Sequence, residues 1–249
     1  MRGENTALST IILAAGKGTR MKSDLAKVLH KVGGRPLISY SVDLARQVGS
    51  EKVCVVIGHQ ADAVRKAVED RNVIFVEQRE LLGTGHAVMQ AREVFCGYEG
   101  TILILCGDVP LLSIETTQAL IDVHGRENAA VTVMTVILDD PGSYGRIVKD
   151  AAGNICKIVE ARDASVEEKK IGEINTGIYC VESGTLFDAV SQIGNANVQK
   201  EYYLTDMIEI AIKKRLTVRS FLATKPIEVM GINTPDDLNK AVEYQKTAM

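Results

Sequence analysis

The chain has 249 residues, 46% of them hydrophobic and 24% charged, with a formal net charge of −3. That length can bury a sizeable core as one large domain or one domain with a small appendage, and the composition excludes a disordered chain and a coiled coil. A mildly acidic chain carries no electrostatic footprint for nucleic acid, so any anion site must be a local basic cluster.

From Ser9 onward strand-like and helix-like stretches alternate, which predicts βαβ units and a mainly parallel sheet with helices on both faces. Strands are expected over residues 10–13, 52–57, 73–76 and 101–105. Pro36 suits the first turn of a helix that runs to about Val48, where Gly49 stops it, and further helices are expected over 61–69 and 84–95. Ser113 is placed to cap a helix through Val123, and residues 129–138 read as a buried strand rich in β-branched side chains.

The pattern then changes. Short strands at 146–149 and 155–159 flank Ala152-Gly153-Asn154, a hairpin signal, and 173–181 is another strand, so an antiparallel section follows the parallel one. Residues 162–170 read as a charged surface loop or short helix. An amphipathic helix is expected over 203–214, then a strand pair at 216–223 and 228–232 that completes the sheet. Thr234-Pro235-Asp236-Asp237 is a helix start, with a cap, a first-turn proline and a carboxylate three residues after the cap; that helix carries the chain to near Met249.

Five cysteines (Cys54, Cys96, Cys106, Cys156, Cys180) stand mostly in apolar runs without a C-x-x-C pair and read as small core residues of a reducing compartment. The four histidines have no metal-ligand spacing. Met1-Arg2-Gly3-Glu4-Asn5 leads only into a short apolar run, and no segment reaches the roughly 18 apolar residues of a membrane helix, so a cytoplasmic location is expected.

Chemistry concentrates first in Leu13-Ala14-Ala15-Gly16-Lys17-Gly18-Thr19-Arg20-Met21, an apolar strand end that breaks into a basic loop. Glycines let backbone N–H groups approach an anion, and Lys17, Arg20, Lys22 and Lys27 supply charge for more than one phosphate. It is neither G-x-x-x-x-G-K-[ST] nor G-x-G-x-x-G, and by spacing alone an ordinary tight turn stands beside phosphate binding. Cys106-Gly107-Asp108-Val109-Pro110 puts a carboxylate at a strand's C-terminal end, where it serves either Mg²⁺ or a turn. Leu82-Gly83-Thr84-Gly85-His86 opens a helix with residues small enough for a base or sugar to approach. Tyr144-Gly145-Arg146, Glu160, Asn175 and Asn233 are a dispersed polar set, each also readable as a turn, a surface charge or a cap.

Taken together, these motifs resemble the uridylyltransferase (pyrophosphorylase) domain of the bacterial bifunctional N-acetylglucosamine-1-phosphate uridylyltransferase/glucosamine-1-phosphate acetyltransferases, over nearly the whole chain. The loop matches L-x-x-G-x-G-T-R-M, and Gln78, the Gly83-Thr84-Gly85-His86 helix start, Gly107-Asp108-Val109-Pro110, Asn175-Thr176-Gly177 and Gly231-Ile232-Asn233 follow in the family's order. The resemblance implies an α/β, Rossmann-like nucleotidyltransferase fold of the GT-A type. Residues 1–233 would form that domain and 234–249 a C-terminal linker-like helix.

It also implies Mg²⁺-dependent attack of N-acetylglucosamine 1-phosphate on the α-phosphorus of UTP, with another sugar 1-phosphate, another nucleotide or a silent nucleotide-sugar-binding module as alternatives. In that comparison Arg20 and Lys27 attend the phosphates as catalytic groups. Leu13, Ala14, Ala15, Gly16, Gly18, Gln78, Gly83, Thr84 and Gly107 hold the nucleotide. Cys106, Gly145, Glu160 and Asn175 face the sugar, and Asp108 and Asn233 hold the metal. Neither nucleic acid nor membrane is expected as a partner. Three departures stand out. The chain stops near where the family's acetyltransferase domain would begin, so no acetyltransferase activity is expected of it; Cys106 takes a position that is commonly tyrosine; and Ala26 replaces a proline, which removes rigidity beside Lys27.

Overall fold

A computed structural model describes residues 7–248. The sequence expectations for the N-terminal stretch Met1-Arg2-Gly3-Glu4-Asn5 and for the chain's end at Met249 lie outside the described residues. The order is β1 (Leu8–Ala14), β2 (Lys31–Val32), β3 (Arg35–Pro36), α1 (Leu37–Gln47), β4 (Val53–Ile57), α2 (Ala61–Val68), β5 (Ile74–Glu77), α3 (Thr84–Gln90), β6 (Thr101–Cys106) and α4 (Ile114–Arg126). There follow β7 (Val131–Ile137), β8 (Arg146–Lys149), β9 (Ile155–Val159), β10 (Glu173–Glu182), α5 (Ser183–Val190), α6 (Asp206–Lys213), β11 (Val218–Leu222), α7 (Pro226–Val229) and α8 (Pro235–Ala248).

The main sheet runs β11-β7-β10-β6-β1-β4-β5, with β8 and β9 attached to β10 as a hairpin. β1 lies parallel to both β4 and β6, β4 to β5 and β11 to β7, whereas β10 is antiparallel to β6 and β7. This is the mixed, mainly parallel α/β architecture that the alternating pattern predicts. β1 is apolar on both faces because both faces are covered. Ile12 and Ala14 enter one core with Ile38, Val42 and Val64 of α1 and α2 and Leu120 of α4. Ile11 enters the other with Val88 of α3, Leu186 of α5 and Met207 and Ile208 of α6. A smaller cluster joins Met21 and Val32 to Ile232 and to Ala241 of α8, so this last helix packs on the body through its own apolar face.

Three local expectations differ, and one helix had none. The strand expected over 228–232 is the short helix α7 followed by a loop: Pro226 presets its first turn, and Glu228 is buried, accepting hydrogen bonds from Ser113 (2.7 Å) and Thr116 (2.6 Å) at the start of α4. The helix expected over 84–95 breaks at Ala91 into α3 and a 3-10 turn, Arg92–Phe95. α5 had no expectation. Cys54 and Cys180 are buried as expected, but Cys96 and Cys156 are exposed. No helix among the described residues is long and apolar enough to cross a membrane.

Candidate active site

The C-terminal ends of β1, β4, β5 and β6 open on one edge of the sheet, the usual ligand position in an open α/β fold. Leu13 is in register with Cys106, and the Gly107 N–H donates to the Leu13 carbonyl (2.9 Å), so the basic loop after β1 lies beside Asp108. Between them is a cleft of about 560 Å³. Leu13, Ala14, Ala15, Gly16, Gly18 and Lys27 line one side; Gln78, Gly83, Thr84, Cys106 and Asp108 line the rest, with Lys17, Leu81 and Glu201.

The two loop glycines have different reasons. At Gly18 (φ +65) a Cβ would lie 2.5 Å from Lys27 Cβ, so the loop closes directly onto the root of the lysine side chain. At Gly16 a Cβ would meet nothing within 4 Å: the space next to it is open. Gly83 (φ +106) sits against the Tyr202 carbonyl, and Tyr202 N–H donates to Leu82 O (2.7 Å) while Leu204 N–H donates to Thr84 Oγ1 (3.1 Å), which fixes the start of α3. Gln78 is 4% exposed and its amide nitrogen donates to Gly83 O (2.9 Å).

Four residues far apart in sequence converge at the mouth of this cleft. Lys27 Nζ pairs with Asp108 Oδ2 and donates to Asn233 Oδ1 (2.9 Å). Arg20 Nη2 donates to the same Asn233 oxygen (3.0 Å) and Nη1 to Ser143 Oγ (2.8 Å). Asn233 is held in turn: its amide nitrogen donates to Gly231 O (3.0 Å), and its backbone N–H donates to Asp237 Oδ2 (3.0 Å). The lysine loop is braced by Gln60, whose Oε1 accepts the Ala26 N–H (2.8 Å) and whose Nε2 donates to Asp24 O (2.7 Å). The rigidity expected to be missing without proline at 26 is therefore supplied by a side chain from the start of α2.

The other polar residues form an adjoining group. Asn175 N–H donates to Gly145 O (2.9 Å), and a Cβ on Gly145 would stand 3.5 Å from Glu160 Oε1. Gly177 (φ +80) marks the irregularity in β10 that lets Asn175 Oδ1 accept from Tyr179 OH (2.9 Å). Cys106 connects the two regions through a contact to Gly177 O (3.5 Å), and burial pushes its thiol up to about 12, so it stays protonated at neutral pH. Burial and the neighbouring Asp163, Asp206 and Glu201 carboxylates raise the pKa of Glu160 against the hydrogen bond from Thr205 Oγ1 (3.2 Å). Gly107 does not line the cleft: a Cβ there would press on Ile38 and Val28, so packing accounts for its size. The sequence reading missed Gln60, Ser143, Tyr179 and Glu201; all are ordinary polar residues outside the motifs, and only the tertiary fold gives them partners.

The class to which this chain belongs is that of the nucleotidyltransferases. The chain belongs to the MobA-like NTP transferase domain family, which it matches over residues 10–153. It is 49% identical to the bifunctional protein GlmU of Geotalea daltonii, over 94% of this chain and 51% of that protein. With the bifunctional protein GlmU of Desulfotalea psychrophila it shares 47% identity over 98% of this chain and 71% of that protein. The chain thus spans about half the length of most of the curated relatives it matches. Among solved structures, a UDP-glucose pyrophosphorylase complexed with UDP-glucose superimposes with a TM-score of 0.78 at 18% identity, covering 98% of this chain and all of that one. A putative glucose-1-phosphate thymidylyltransferase from Bacillus anthracis gives 0.76 at 20%, covering 96% and 95%. At those identities the two structures establish the fold alone.

Proposed function

We propose that this chain is a UTP-dependent sugar-1-phosphate uridylyltransferase that makes UDP-N-acetylglucosamine and pyrophosphate from UTP and N-acetylglucosamine 1-phosphate. The observation that carries the reading is the convergence of Arg20, Lys27, Asp108 and Asn233 at the mouth of the cleft. The motif resemblance supplies the nucleotide and the sugar, and the similarity to the GlmU proteins supports the family in which that resemblance lies.

In this reading the uridine lies against Leu13, Ala14, Gln78 and Gly83, with the triphosphate along Gly16, Gly18 and Lys27. A phosphate oxygen of the acceptor attacks the α-phosphorus in line, the bond from that phosphorus to the β-phosphate's bridging oxygen breaks, and pyrophosphate leaves. Arg20 offers a planar fork to phosphoryl oxygens and Lys27 a compact charge, so both neutralise the negative charge brought together by two phosphorylated substrates. The chain supplies no nucleophile of its own here, and the protonated Cys106 thiol fits that. Gly145, Glu160 and Asn175 face the amino sugar.

The donor set also fits a divalent cation. Two hard oxygens, from Asp108 and Asn233, already converge on one positive atom, the Lys27 ammonium, which stands in for a metal. Asp108 and Asn233 would hold Mg²⁺, which when bound adds charge neutralisation at the phosphates.

Pyrophosphate release with UTP, Mg²⁺ and a panel of sugar 1-phosphates tests this. N-acetylglucosamine 1-phosphate is expected to be the preferred acceptor, and Arg20→Ala or Asp108→Ala to lower turnover by orders of magnitude. Turnover indifferent to both changes would overturn the site; preference for another sugar or nucleotide would replace the substrate; tight UTP binding without turnover would make the chain a silent binding module.

A further inference from the structure

Arg146 is a cation that the proposed chemistry does not use, yet it is 4% exposed. Its guanidinium donates to three backbone carbonyls of the preceding loop: Pro141 (3.5 Å), Gly142 (3.0 Å) and Tyr144. The loop is further curled by Asp140 Oδ1, which accepts the Gly142 N–H (3.1 Å), and by the Tyr144 N–H donating to Pro141 O (3.2 Å). The carbonyls take up both terminal nitrogens of the buried guanidinium, leaving Nε without a partner, and so tie the loop's shape to this one charge.

What that shape delivers is specific. Three consecutive residues reach three parts of the site. Ser143 Oγ accepts from Arg20 Nη1 (2.8 Å). Tyr144 OH accepts the Gly231 N–H (3.2 Å), and the Gly231 carbonyl accepts the Asn233 amide (3.0 Å), so this link sets which way the Asn233 oxygen faces. The Gly145 carbonyl accepts the Asn175 N–H (2.9 Å) on the sugar side. Burial pushes the Tyr144 phenol up to about 12, so it remains a neutral hydroxyl at working pH.

Resting on the uridylyltransferase reading, we propose that the loop wound on Arg146 is a brace for the reacting groups, in which Ser143 is a positioning residue for Arg20 and Tyr144 one for Asn233. Arg20 is exposed and its long side chain has many rotamers of similar energy. Bonds from two of its N–H groups to Ser143 and Asn233 fix the plane of the guanidinium and leave the remaining N–H groups for phosphoryl oxygens. Because the same loop bonds to Asn175, the acceptor side and the arginine are held in one frame.

The test is steady-state pyrophosphate release with UTP and N-acetylglucosamine 1-phosphate, alongside thermal unfolding and calorimetric UTP binding. Ser143→Ala is expected to lower kcat about tenfold, toward the lower end of what a misplaced group costs because the pair is exposed. KM for UTP and the thermal midpoint should stay put, and Ser143→Thr, which keeps a hydroxyl, should restore kcat. In an Arg20→Ala background Ser143→Ala should cost nothing more, since its effect runs through that arginine. Tyr144→Phe is the parallel change at the second contact.

Wild-type kcat in Ser143→Ala, or a loss that adds in full on top of Arg20→Ala, would overturn the positioning role while leaving the proposed function standing. Full turnover in Arg20→Ala would overturn the site assignment and the brace together. The order parameter of the Arg20 side-chain ¹⁵Nε, measured on the unliganded chain, is a readout independent of turnover: it should fall in Ser143→Ala, and an unchanged value counts against the brace even if the chain turns over no substrate.

Discussion

Gly18 and Gly16 stand two residues apart in the same loop, and replacing each by alanine should separate folding from binding. Gly18→Ala carries two costs. Its left-handed backbone disfavours an L side chain by about 1–2 kcal/mol. The new methyl would meet Lys27 Cβ at 2.5 Å, and an atom that close to the backbone cannot swing aside, which adds about 1–3 kcal/mol of overpacking. For a chain of this length each kcal/mol is worth about 2–4 °C, so the thermal midpoint should drop on the order of 10 °C. Gly16→Ala meets no atom within 4 Å and has no positive φ, so its stability should stay within about 0.5 kcal/mol of the parent. Its methyl instead takes up open space beside the cleft, and nucleotide affinity should fall about tenfold or more, a loss of at least ~1.4 kcal/mol. Thermal unfolding without ligand and calorimetric titration with UTP read the two effects separately. If Gly16→Ala bound UTP as well as the parent, the loop would not lie against the nucleotide; if Gly18→Ala were as stable as the parent, the packing argument would be wrong.

Three further outcomes follow from particular contacts. Gln60→Ala removes both bonds that brace the lysine loop and should weaken UTP binding; adding Ala26→Pro should recover part of the loss, because Ala26 (φ −54) already has a proline-like backbone and its N–H no longer has a partner to lose. Lys27→Met leaves the Asp108 carboxylate without its cation and the Asn233 oxygen with Arg20 alone, so Mn²⁺ binding in the absence of nucleotide, measured by electron paramagnetic resonance, should tighten; an unchanged affinity would show that the ammonium does not stand in for a metal. Asp206 is pushed up to about 6, by burial first and then by Glu209 and Asp163. The unfolded carboxyl titrates near 3.9, so as pH rises from about 4 to 6 the unfolded state ionises first and stability falls. In Asp206→Asn the denaturant midpoint should lose that part of its pH dependence, and an identical profile would refute the burial argument.

Much of the architecture was legible because it is written in local periodicity. The parallel half follows from apolar runs such as β1 and β6 separated by amphipathic helices, and the antiparallel section from the turn at Ala152-Gly153-Asn154. The misreading at residues 228–232 has a physical origin. An apolar alternating stretch looks like a strand, but Pro226 starts a helical turn and the Glu228 carboxylate is drawn into the α4 cap, a partner more than 110 positions away. Among the site residues, glycines and charges within motifs were visible because their spacing is fixed by local backbone geometry. Ser143 and Gln60 were not, since a serine or glutamine gains meaning only from the arginine or lysine loop that the fold brings to it.

Asn233 joins these two kinds of information. By sequence it reads either as a metal ligand or as the residue before a capped helix, and the structure shows how the cap directs its side chain. Thr234 and Asp237 form a reciprocal cap: Asp237 N–H donates to Thr234 Oγ1 (3.2 Å) and Asp237 Oδ2 accepts the Thr234 N–H (2.9 Å). The same carboxylate oxygen also takes the Asn233 N–H (3.0 Å), which fixes the asparagine backbone one residue before the cap. With the backbone held there and the amide nitrogen bonded to Gly231 O, the side-chain oxygen has one direction left, toward Lys27 and Arg20. The start of α8, whose apolar face packs beside Met21 at the end of the basic loop, is therefore part of what aims the site.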